Sequence, residues 1–280
     1  MILVPYDFTP PCDCAIQHAT LIARKGGHTL QLLHVVNSDS KAIMRRDKIS
    51  LKDLNDRMAA LASRVQRESG ISTGYDMVTG SIFTTIPDYA HESKAKLVII
   101  GTSGIVGLQH LFGSNAIKIA EKSSVPDLIV QERPLRPHGY QTIVMPIDAD
   151  KESKQKTFQT AAIAKLFNGT VHLFAASEKD PFLRNTVEHN IQFTIRHFDA
   201  QQIPYQVVHE SDDGKSYASQ ILQYATRVDA DLLTIMTGDS RGLLNFIYET
   251  NEEHIVNNQA QIPVLCIDPQ NALYGSVFTY

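Results

Sequence analysis

The sequence predicts an α/β fold made of two tandem Rossmann-like domains, each a five-stranded parallel sheet with helices on both faces. Two observations support this prediction. Short apolar runs of strand type alternate with helical segments, which is typical of parallel sheets. The same pattern then restarts near residue 139, after a polar linker that contains two prolines. We therefore expect a first domain over residues 1–137 and a second over residues 138–280.

The elements of the first half follow from side-chain periodicity. A helix that begins with two prolines is expected to run to about Lys25, with Thr9 as its cap. Residues 37–50 are polar and indicate a loop or an exposed helical turn, whereas residues 51–68 have the apolar spacing of a long amphipathic helix. The third strand is more polar and is expected at a sheet edge. The five strands are expected at residues 2–6, 30–36, 72–78, 97–100 and 126–130.

The second half repeats these elements. Thr142-Ile143-Val144-Met145-Pro146-Ile147-Asp148 matches Ile2-Leu3-Val4-Pro5-Tyr6-Asp7. Further strands matching the second, fourth and fifth of the first half are expected at residues 170–174, 230–236 and 262–267. Repetition in the same order indicates that one fold has been duplicated within the chain.

Composition excludes several classes of function. The chain has 280 residues, 43% of them hydrophobic, which is enough for two cores. A net charge of −4 does not favour nucleic acid or anionic membranes, and no apolar run approaches the roughly 20 residues of a membrane span. Three cysteines do not make a disulfide scaffold, and Cys12 and Cys14 alone are a weak pattern for a metal or redox site. We expect a cytoplasmic protein with neither a nucleic-acid nor a membrane partner.

A glycine-bearing loop after the fourth strand is the most informative stretch. The strand ends at Gly101, and the pattern G-x-x-G-x8-G-S runs through Gly104 to Gly113 and Ser114. Glycines let the backbone approach a ligand closely, and the free N–H groups of a helix start favour phosphate oxygens. Ser114 or Asn115 is expected to cap the helix that follows. The pattern is neither a P-loop nor a dinucleotide fingerprint, and it also fits a glycine-rich turn without a ligand.

Three segments that are far apart in sequence are expected to converge beside this loop. In a parallel sheet, ligands bind beyond the carboxyl ends of the strands, where the strand order reverses. Asp7 follows the first strand, Val35 lies at the end of the second, and Gly101 ends the fourth. The topology therefore predicts one crevice that all three segments border.

With these residues identified, the chain resembles the universal stress protein family in its tandem two-domain form. That resemblance extends over nearly the whole chain and implies a fold of the adenine nucleotide alpha hydrolase type. Family members usually carry G-x-x-G-x9-G-[ST], so the spacer here is one residue shorter. The segments that carry the resemblance are Val4-Pro5-Tyr6-Asp7-Phe8, Leu32-Leu33-His34-Val35, the loop from Gly101 to Asn115, and Val125-Pro126.

The resemblance implies a site for ATP, ADP or AMP, with or without Mg²⁺. By this resemblance, Asp7 and the backbone of Val35 hold the adenine, while Pro5 and Tyr6 line the pocket. A carboxylate suits this role because the adenine amino group needs an acceptor. Asp7 has a second interpretation, since it could merely cap the first helix, a role that Thr9 fills equally well.

The resemblance also implies which residues contact the rest of the nucleotide. Gly101 and Gly104 would admit the ribose and the first phosphate. Gly113, Ser114 and Asn115 would donate hydrogen bonds to the outer phosphates, as helix starts do elsewhere.

The second half departs from this pattern. It keeps Asp148 in the matching place, but Met236 replaces Gly101 and Asp239 stands near the position of Gly104. Residues 248–253 include three glutamates where the first half has Gly113 and Ser114. Because like charges repel, we expect this half to bind no triphosphate. It would then be a structural partner or bind an uncharged molecule.

No residue pattern for catalysis is evident. The chain has neither a metalloprotease motif nor a nucleophile elbow, and no residue suggests itself as an activator of water, so at most weak ATP hydrolysis is expected. Two functions therefore remain open: a nucleotide-binding regulatory protein and a nucleotide-free protein-interaction module. By resemblance, the last strands of the two halves would pair edge to edge as an intrachain pseudo-dimer. A further homodimer and the identity of any protein partner remain open.

Overall fold

The computed structural model describes residues 1–102, 112–210 (112–114 by their backbone), 214–237 and 260–269. The first half contains five strands and five helices within these ranges. In chain order they are β1 (Ile2–Pro5), α1 (Pro10–Gly26), β2 (Leu30–Val36), α2 (Ser38–Asp47), α3 (Leu51–Ser69), β3 (Thr73–Thr79), α4 (Ile82–Glu92), β4 (Leu97–Gly101), α5 (Phe112–Ala120) and β5 (Asp127–Val130).

The described part of the second half follows the same alternation. A 3₁₀ turn over Ser153–Lys156 precedes its first α-helix. The remaining elements are β6 (Thr142–Ile147), α6 (Thr157–Phe167), β7 (Thr170–Ala175), α7 (Pro181–Gln201), β8 (Tyr205–His209), α8 (Tyr217–Arg227), β9 (Leu232–Met236) and β10 (Val264–Ile267).

The strands form one sheet in the order β3-β2-β1-β4-β5-β10-β9-β6-β7-β8. Within each half all pairings are parallel, which confirms the predicted fold class, and β3 lies at an edge as expected. The two halves join through an antiparallel pairing of β5 with β10, in which Leu128 lies opposite Leu265. This is the edge-to-edge pairing that the resemblance implied, and it removes the sheet edge that each half would otherwise expose.

Residues 37–50 are more regular than the sequence suggested. Ser38–Asp47 forms a full helix, α2, whose start is capped because the Asn37 side chain accepts a hydrogen bond from the Ser40 N–H. None of the α2 residues is buried. Hydrophobic periodicity therefore could not indicate this helix. The capping residue Asn37 is the feature of the sequence that indicates where it begins.

Two layers of side chains cover the sheet. One buried cluster joins the sheet to α1, α3, α6 and α7, and the other joins it to α4, α5 and α8. Alternate strand residues serve the two clusters, as Val4 and Leu3 of β1 show. Within the ranges given above, no helix is both long and apolar enough to cross a membrane.

A buried pair links α1 of the first half to the start of the second. His18 Nδ1 lies 2.5 Å from the Tyr140 hydroxyl, and both residues are almost fully buried. Tyr140 in turn packs edge-on against Phe167 of α6, with ring centroids 5.0 Å apart. Burial lowers the pKa of His18 to about 4, because a charged imidazole is poorly solvated there.

This pair predicts a loss of stability in mild acid. The unfolded chain binds a proton at His18 near pH 6.5, whereas the folded chain does so only near pH 4. The stabilisation is therefore fully present above pH 6.5 and falls as the pH drops towards 4, by about 3 kcal/mol in total. Urea unfolding at several pH values measures it, and His18→Gln is the control. If the variant showed the same loss between pH 7 and pH 4 as the wild-type chain, His18 would not be its source.

Candidate functional site

The strand order reverses at β1 in the first half. The chain passes from β1 to β2 and β3 on one side and then returns to β4 on the other. Asp7 follows the carboxyl end of β1, Gly101 ends β4, and Val35 lies near the end of β2. The predicted convergence at one edge of the sheet is therefore present, and it lies where parallel sheets bind their ligands.

The Asp7 carboxylate is exposed and held through one of its two oxygens. Its Oδ1 accepts hydrogen bonds from the Thr9 N–H at 3.0 Å, the Thr9 hydroxyl at 2.5 Å and the Cys12 thiol at 3.0 Å. Among the described residues, the Oδ2 atom has no hydrogen-bond partner. Asp7 therefore presents an acceptor to solvent at the point where the strand order reverses.

The start of α1 shows that neither candidate cap acts as one. Thr9 occupies the capping position, but its side chain makes no capping hydrogen bond, so that expectation was wrong. Pro10 and Pro11 carry no N–H, and the Cys12 N–H is satisfied by the Thr9 carbonyl at 3.0 Å. The first turn thus has little need of a side-chain acceptor. In the described part of the chain, Asp7 accepts the N–H of Thr9 itself through Oδ1 but no N–H from residues 10–13, so it does not act as an ordinary cap, and its Oδ2 takes no part in the helix start.

Two aromatic residues beside Asp7 have different environments. Tyr6, predicted to line a pocket, is buried in the core with its hydroxyl 2.6 Å from Asp13 Oδ1, and Pro5 before it is buried at the end of β1. Phe8 is 40% exposed and has φ of +67°, which is unusual for a bulky residue. Sequence reasoning gave Phe8 no role, because its backbone conformation leaves no trace in the residue type.

His34, near the end of β2, packs against the ring of Phe8. The two ring centroids are 5.6 Å apart, and His34 Nδ1 lies 2.7 Å from the Tyr6 carbonyl oxygen. Because a carbonyl only accepts, Nδ1 carries the proton. Burial lowers the pKa of His34, which keeps the ring neutral, although the hydrogen bond to Tyr6 and the nearby Asp7 oppose this shift. His34 is thus a packed, hydrogen-bonded residue.

Val35 contributes to the crevice edge through its backbone. Its side chain is buried in the cluster on the α4 and α5 face. Its carbonyl oxygen accepts a hydrogen bond from the Ser40 hydroxyl of α2 at 3.2 Å. A carbonyl has two lone pairs, so a second donor can still bind it.

Gly101 is required by the packing of α1. A Cβ at this position would lie 2.3 Å from the Pro11 carbonyl oxygen and 2.7 Å from the Cys12 nitrogen. Both are backbone atoms of the first turn of α1, which cannot move aside alone. In the second half the matching residue is Met236, and there a 3₁₀ turn contacts β9 before α6 begins. The glycine therefore lets the first turn of α1, which begins three residues after Asp7, lie directly against the end of β4.

The helix start that was expected to bind phosphate lies slightly earlier than predicted. Helix α5 begins at Phe112, so Gly113, Ser114 and Asn115 belong to its first turn and do not precede it. The expectation that Ser114 or Asn115 caps the helix was therefore wrong. The N–H groups of Gly113 and Ser114 have no acceptor inside the helix, as in any first helical turn. Gly104 lies outside the described residues.

The matching aspartate of the second half is in a different environment. Asp148 is buried, and its Oδ1 accepts the Asp150 N–H at 3.1 Å. The Asn190 side chain of α7 donates to the backbone carbonyls of both residues, at 2.9 and 3.0 Å. The Asp148 carboxylate is therefore buried beside hydrogen bonds that the chain makes with itself, and it is not presented to solvent as Asp7 is. Asp239 and residues 248–253 lie outside the described residues.

Tyr217 ties together the strand ends of the second half. Its hydroxyl lies 3.0 Å from the Ile147 carbonyl of β6 and 2.7 Å from the Phe174 carbonyl of β7, and the residue is buried. In the first half, the Tyr6 carbonyl at the place of Ile147 is bonded by His34 instead. Tyr217 thus fills the gap between the first two strand ends of this half.

The family model for the universal stress protein family matches residues 1–131 and again residues 139–268. The chain belongs to the universal stress protein family. The two matches agree with the tandem duplication. Among residues that the structure describes, no group of three or more His, Cys, Asp or Glu side chains could hold a metal ion.

Individual universal stress proteins show the same likeness. One from Methanocaldococcus jannaschii is 26% identical over 138 residues, which cover 47% of this chain and 81% of that protein. The crystal structure of one from Archaeoglobus fulgidus has a TM-score of 0.71 at 17% identity and covers 96% of this chain and 98% of its own, a likeness that concerns the fold. Another solved structure, a universal stress protein in complex with cAMP, has a TM-score of 0.33 at 16% identity and covers 47% of this chain and 98% of its own.

Proposed function

We propose that this universal stress protein is an adenine-nucleotide-binding regulatory or stress-response protein with one nucleotide site, in residues 1–137. The observation that carries the proposal is the exposed Asp7 carboxylate at the reversal of strand order, whose Oδ2 has no partner among the described residues. The adenine amino group is a donor, and a carboxylate oxygen of this kind can accept its hydrogen bond. The Val35 backbone would supply a second polar contact, with Pro5 and Tyr6 supporting the wall.

The phosphates would bind towards β4 and α5. In this proposal Gly104 keeps a side chain away from the ribose and the first phosphate, whereas Gly101 borders them through its backbone, because its Cβ would point at the Pro11 backbone of α1. The first turn of α5 supplies N–H donors at Gly113 and Ser114, together with the positive end of the helix dipole, and Asn115 adds a polar side chain. Mg²⁺ would arrive with the nucleotide, held by its phosphates.

We propose that residues 138–280 bind no triphosphate. Three features support this: Asp148 is buried, Tyr217 bridges the ends of β6 and β7, and Met236 stands where Gly101 does. The second half then serves as the structural partner that covers the edge of β5.

Thermal unfolding with and without ligand tests the proposed function. ATP with Mg²⁺ at a hundred times its dissociation constant should raise the unfolding free energy by about 2.7 kcal/mol, because it binds only the folded chain. Nucleotide released by denaturing the purified protein would be a direct additional sign. If millimolar ATP, ADP and AMP all left the unfolding curve unchanged, the proposed function would be wrong, and the alternative of a nucleotide-free interaction module of the same fold would be favoured.

A charge at the start of α5 should separate binding from folding. Gly113→Glu places a carboxylate in the first turn of α5. There its negative charge interacts favourably with the helix dipole but repels phosphate. We expect the variant to keep its unfolding midpoint within a few degrees and to lose ATP binding. Calorimetric titration measures the binding, and AMP is the control, since it lacks the outer phosphates and should be affected less. Normal ATP binding by this variant would show that the outer phosphates lie elsewhere.

A further inference from the structure

The hydrogen bonds of Asp7 converge on a single oxygen. Three donors from two residues meet at Oδ1: the Thr9 N–H, the Thr9 hydroxyl and the Cys12 thiol, at 3.0, 2.5 and 3.0 Å. A carboxylate oxygen has about two lone-pair directions, so three donors saturate it. The rotation of the carboxylate is then fixed, and Oδ2 is turned away from all three donors.

These donors are free to reach Asp7 because of the sequence that starts α1. The paired prolines at the first two helical positions carry no N–H, so neither of them can draw the Thr9 side chain into a capping hydrogen bond. The Cys12 side chain stands on the first turn, close to the strand end, because Gly101 lets that turn approach β4. The geometry thus depends on features of α1 and β4 together.

The Cys12 thiol keeps its proton. It is 4% exposed, and burial, followed by the charge of the neighbouring Asp7, raises its pKa well above the usual value. A protonated thiol is a donor, whereas a thiolate would repel the carboxylate. The contact is therefore an S–H···O hydrogen bond at neutral pH.

We propose that Cys12 and Thr9 are positioning residues that make Asp7 selective for a purine with an amino group at position 6. This inference rests on the proposed function of the site. With Oδ1 occupied, Oδ2 faces the base and accepts from the amino group of ATP. A 6-oxo purine presents a carbonyl oxygen instead, and two acceptors facing each other leave both without a hydrogen.

The second half lacks this arrangement. At the positions that match Thr9 and Cys12, the second half has Asp150 and Ser153. Its chain continues there into the Ser153–Lys156 turn, and α6 begins only at Thr157. The Asp148 Oδ1 accepts the Asp150 N–H, which corresponds to the Thr9 N–H at Asp7, but neither a threonine hydroxyl nor a cysteine thiol stands at these positions. The arrangement at Asp7 therefore belongs to the half that we propose binds the nucleotide.

The chain offers a matched pair of cysteines for the test. Cys12 and Cys14 are both free and buried in α1, but the Cys14 thiol donates to the Arg133 carbonyl and not to Asp7. Calorimetric titration of Cys12→Ala, Cys14→Ala and Cys12→Ser with ATP and with inosine triphosphate gives the selectivity of each variant. We expect Cys12→Ala to reduce the preference for ATP about tenfold, Cys14→Ala to keep it, and the Cys12→Ser hydroxyl to restore most of it.

The outcomes of this test separate the inference from the proposed function, and equal affinity of the wild-type chain for both nucleotides would contradict the inference alone. If Cys12→Ala weakens both nucleotides equally, or neither, while the wild-type chain prefers ATP, the positioning role is wrong and the proposed function stands. If the wild-type chain binds neither nucleotide, the proposed function fails and this inference fails with it. The S–H stretching band provides a readout without nucleotide: it should lie at the hydrogen-bonded frequency in the wild-type chain and shift towards the free-thiol frequency in Asp7→Ala, which removes the acceptor. An unshifted band in that variant would also contradict the inference.

Discussion

Asp7→Asn is expected to weaken ATP binding by roughly 10- to 150-fold, the loss of one hydrogen bond to a charged group. Thr9 and Cys12 are donors, so they will hold the amide oxygen of the asparagine in place of Oδ1. The amide NH₂ then faces the base, where it opposes the amino group of ATP but suits the carbonyl of inosine triphosphate. The variant should therefore gain relative affinity for inosine triphosphate, which competition titration measures.

The control for this change lies in the second half. Asp148→Asn makes the same replacement at the matching position, where the carboxylate is buried and bonded to the Asp150 N–H. It should leave the affinity and the ATP preference unchanged, even if it lowers the unfolding midpoint. Equal losses in both variants would contradict the assignment of the base to Asp7.

Gly101→Ala is expected to damage both the fold and the site. The added Cβ would lie 2.3 Å from the Pro11 carbonyl oxygen and 2.4 Å from its carbon, so the first turn of α1 must shift. Overpacking of this kind lowers the unfolding free energy by about 2 kcal/mol. Because Cys12 moves with that turn, ATP binding should fall as well. Urea unfolding and titration of the same preparation measure the two effects.

Gly74→Ala is the matched control for this effect. The Cβ there would meet only the end of the Gln31 side chain, at 2.4 Å, and a flexible side chain can turn away. We expect a change in unfolding free energy below about 0.5 kcal/mol, as for most surface substitutions. Equal destabilisation by the two variants would show that close approach to α1 is not what requires Gly101.

The sequence predicted most of the fold because buried strands and duplicated motifs are local signals. The β2 strand matches its predicted bounds, and the pairing of β5 with β10 is the one that the family resemblance implied. Helix α2 was not predicted as a full helix. It buries none of its residues, so its sequence carries no apolar periodicity that would indicate a helix.

The site was less predictable than the fold. Asp7 was identified from its position after β1, but its hydrogen bonds were not, since they depend on how α1 starts. Cys12 was considered only as part of a possible metal or redox pair, and its contact with Asp7 requires Gly101 on a distant strand. When packing between distant segments determines what a side chain contacts, the spacing of nearby residues in the sequence does not reveal that contact. The Pro10-Pro11 pair was the available signal, because it removes the need for a cap.

The number of nucleotides bound per chain tests the central claim most directly. Calorimetric titration of the full chain with ATP and Mg²⁺ should give one site per chain, which Asp7→Asn weakens and Asp148→Asn leaves intact. Two equivalent sites would contradict the proposal that residues 138–280 bind no triphosphate. No heat and no displacement of a nucleotide probe at millimolar ATP would contradict the nucleotide site itself.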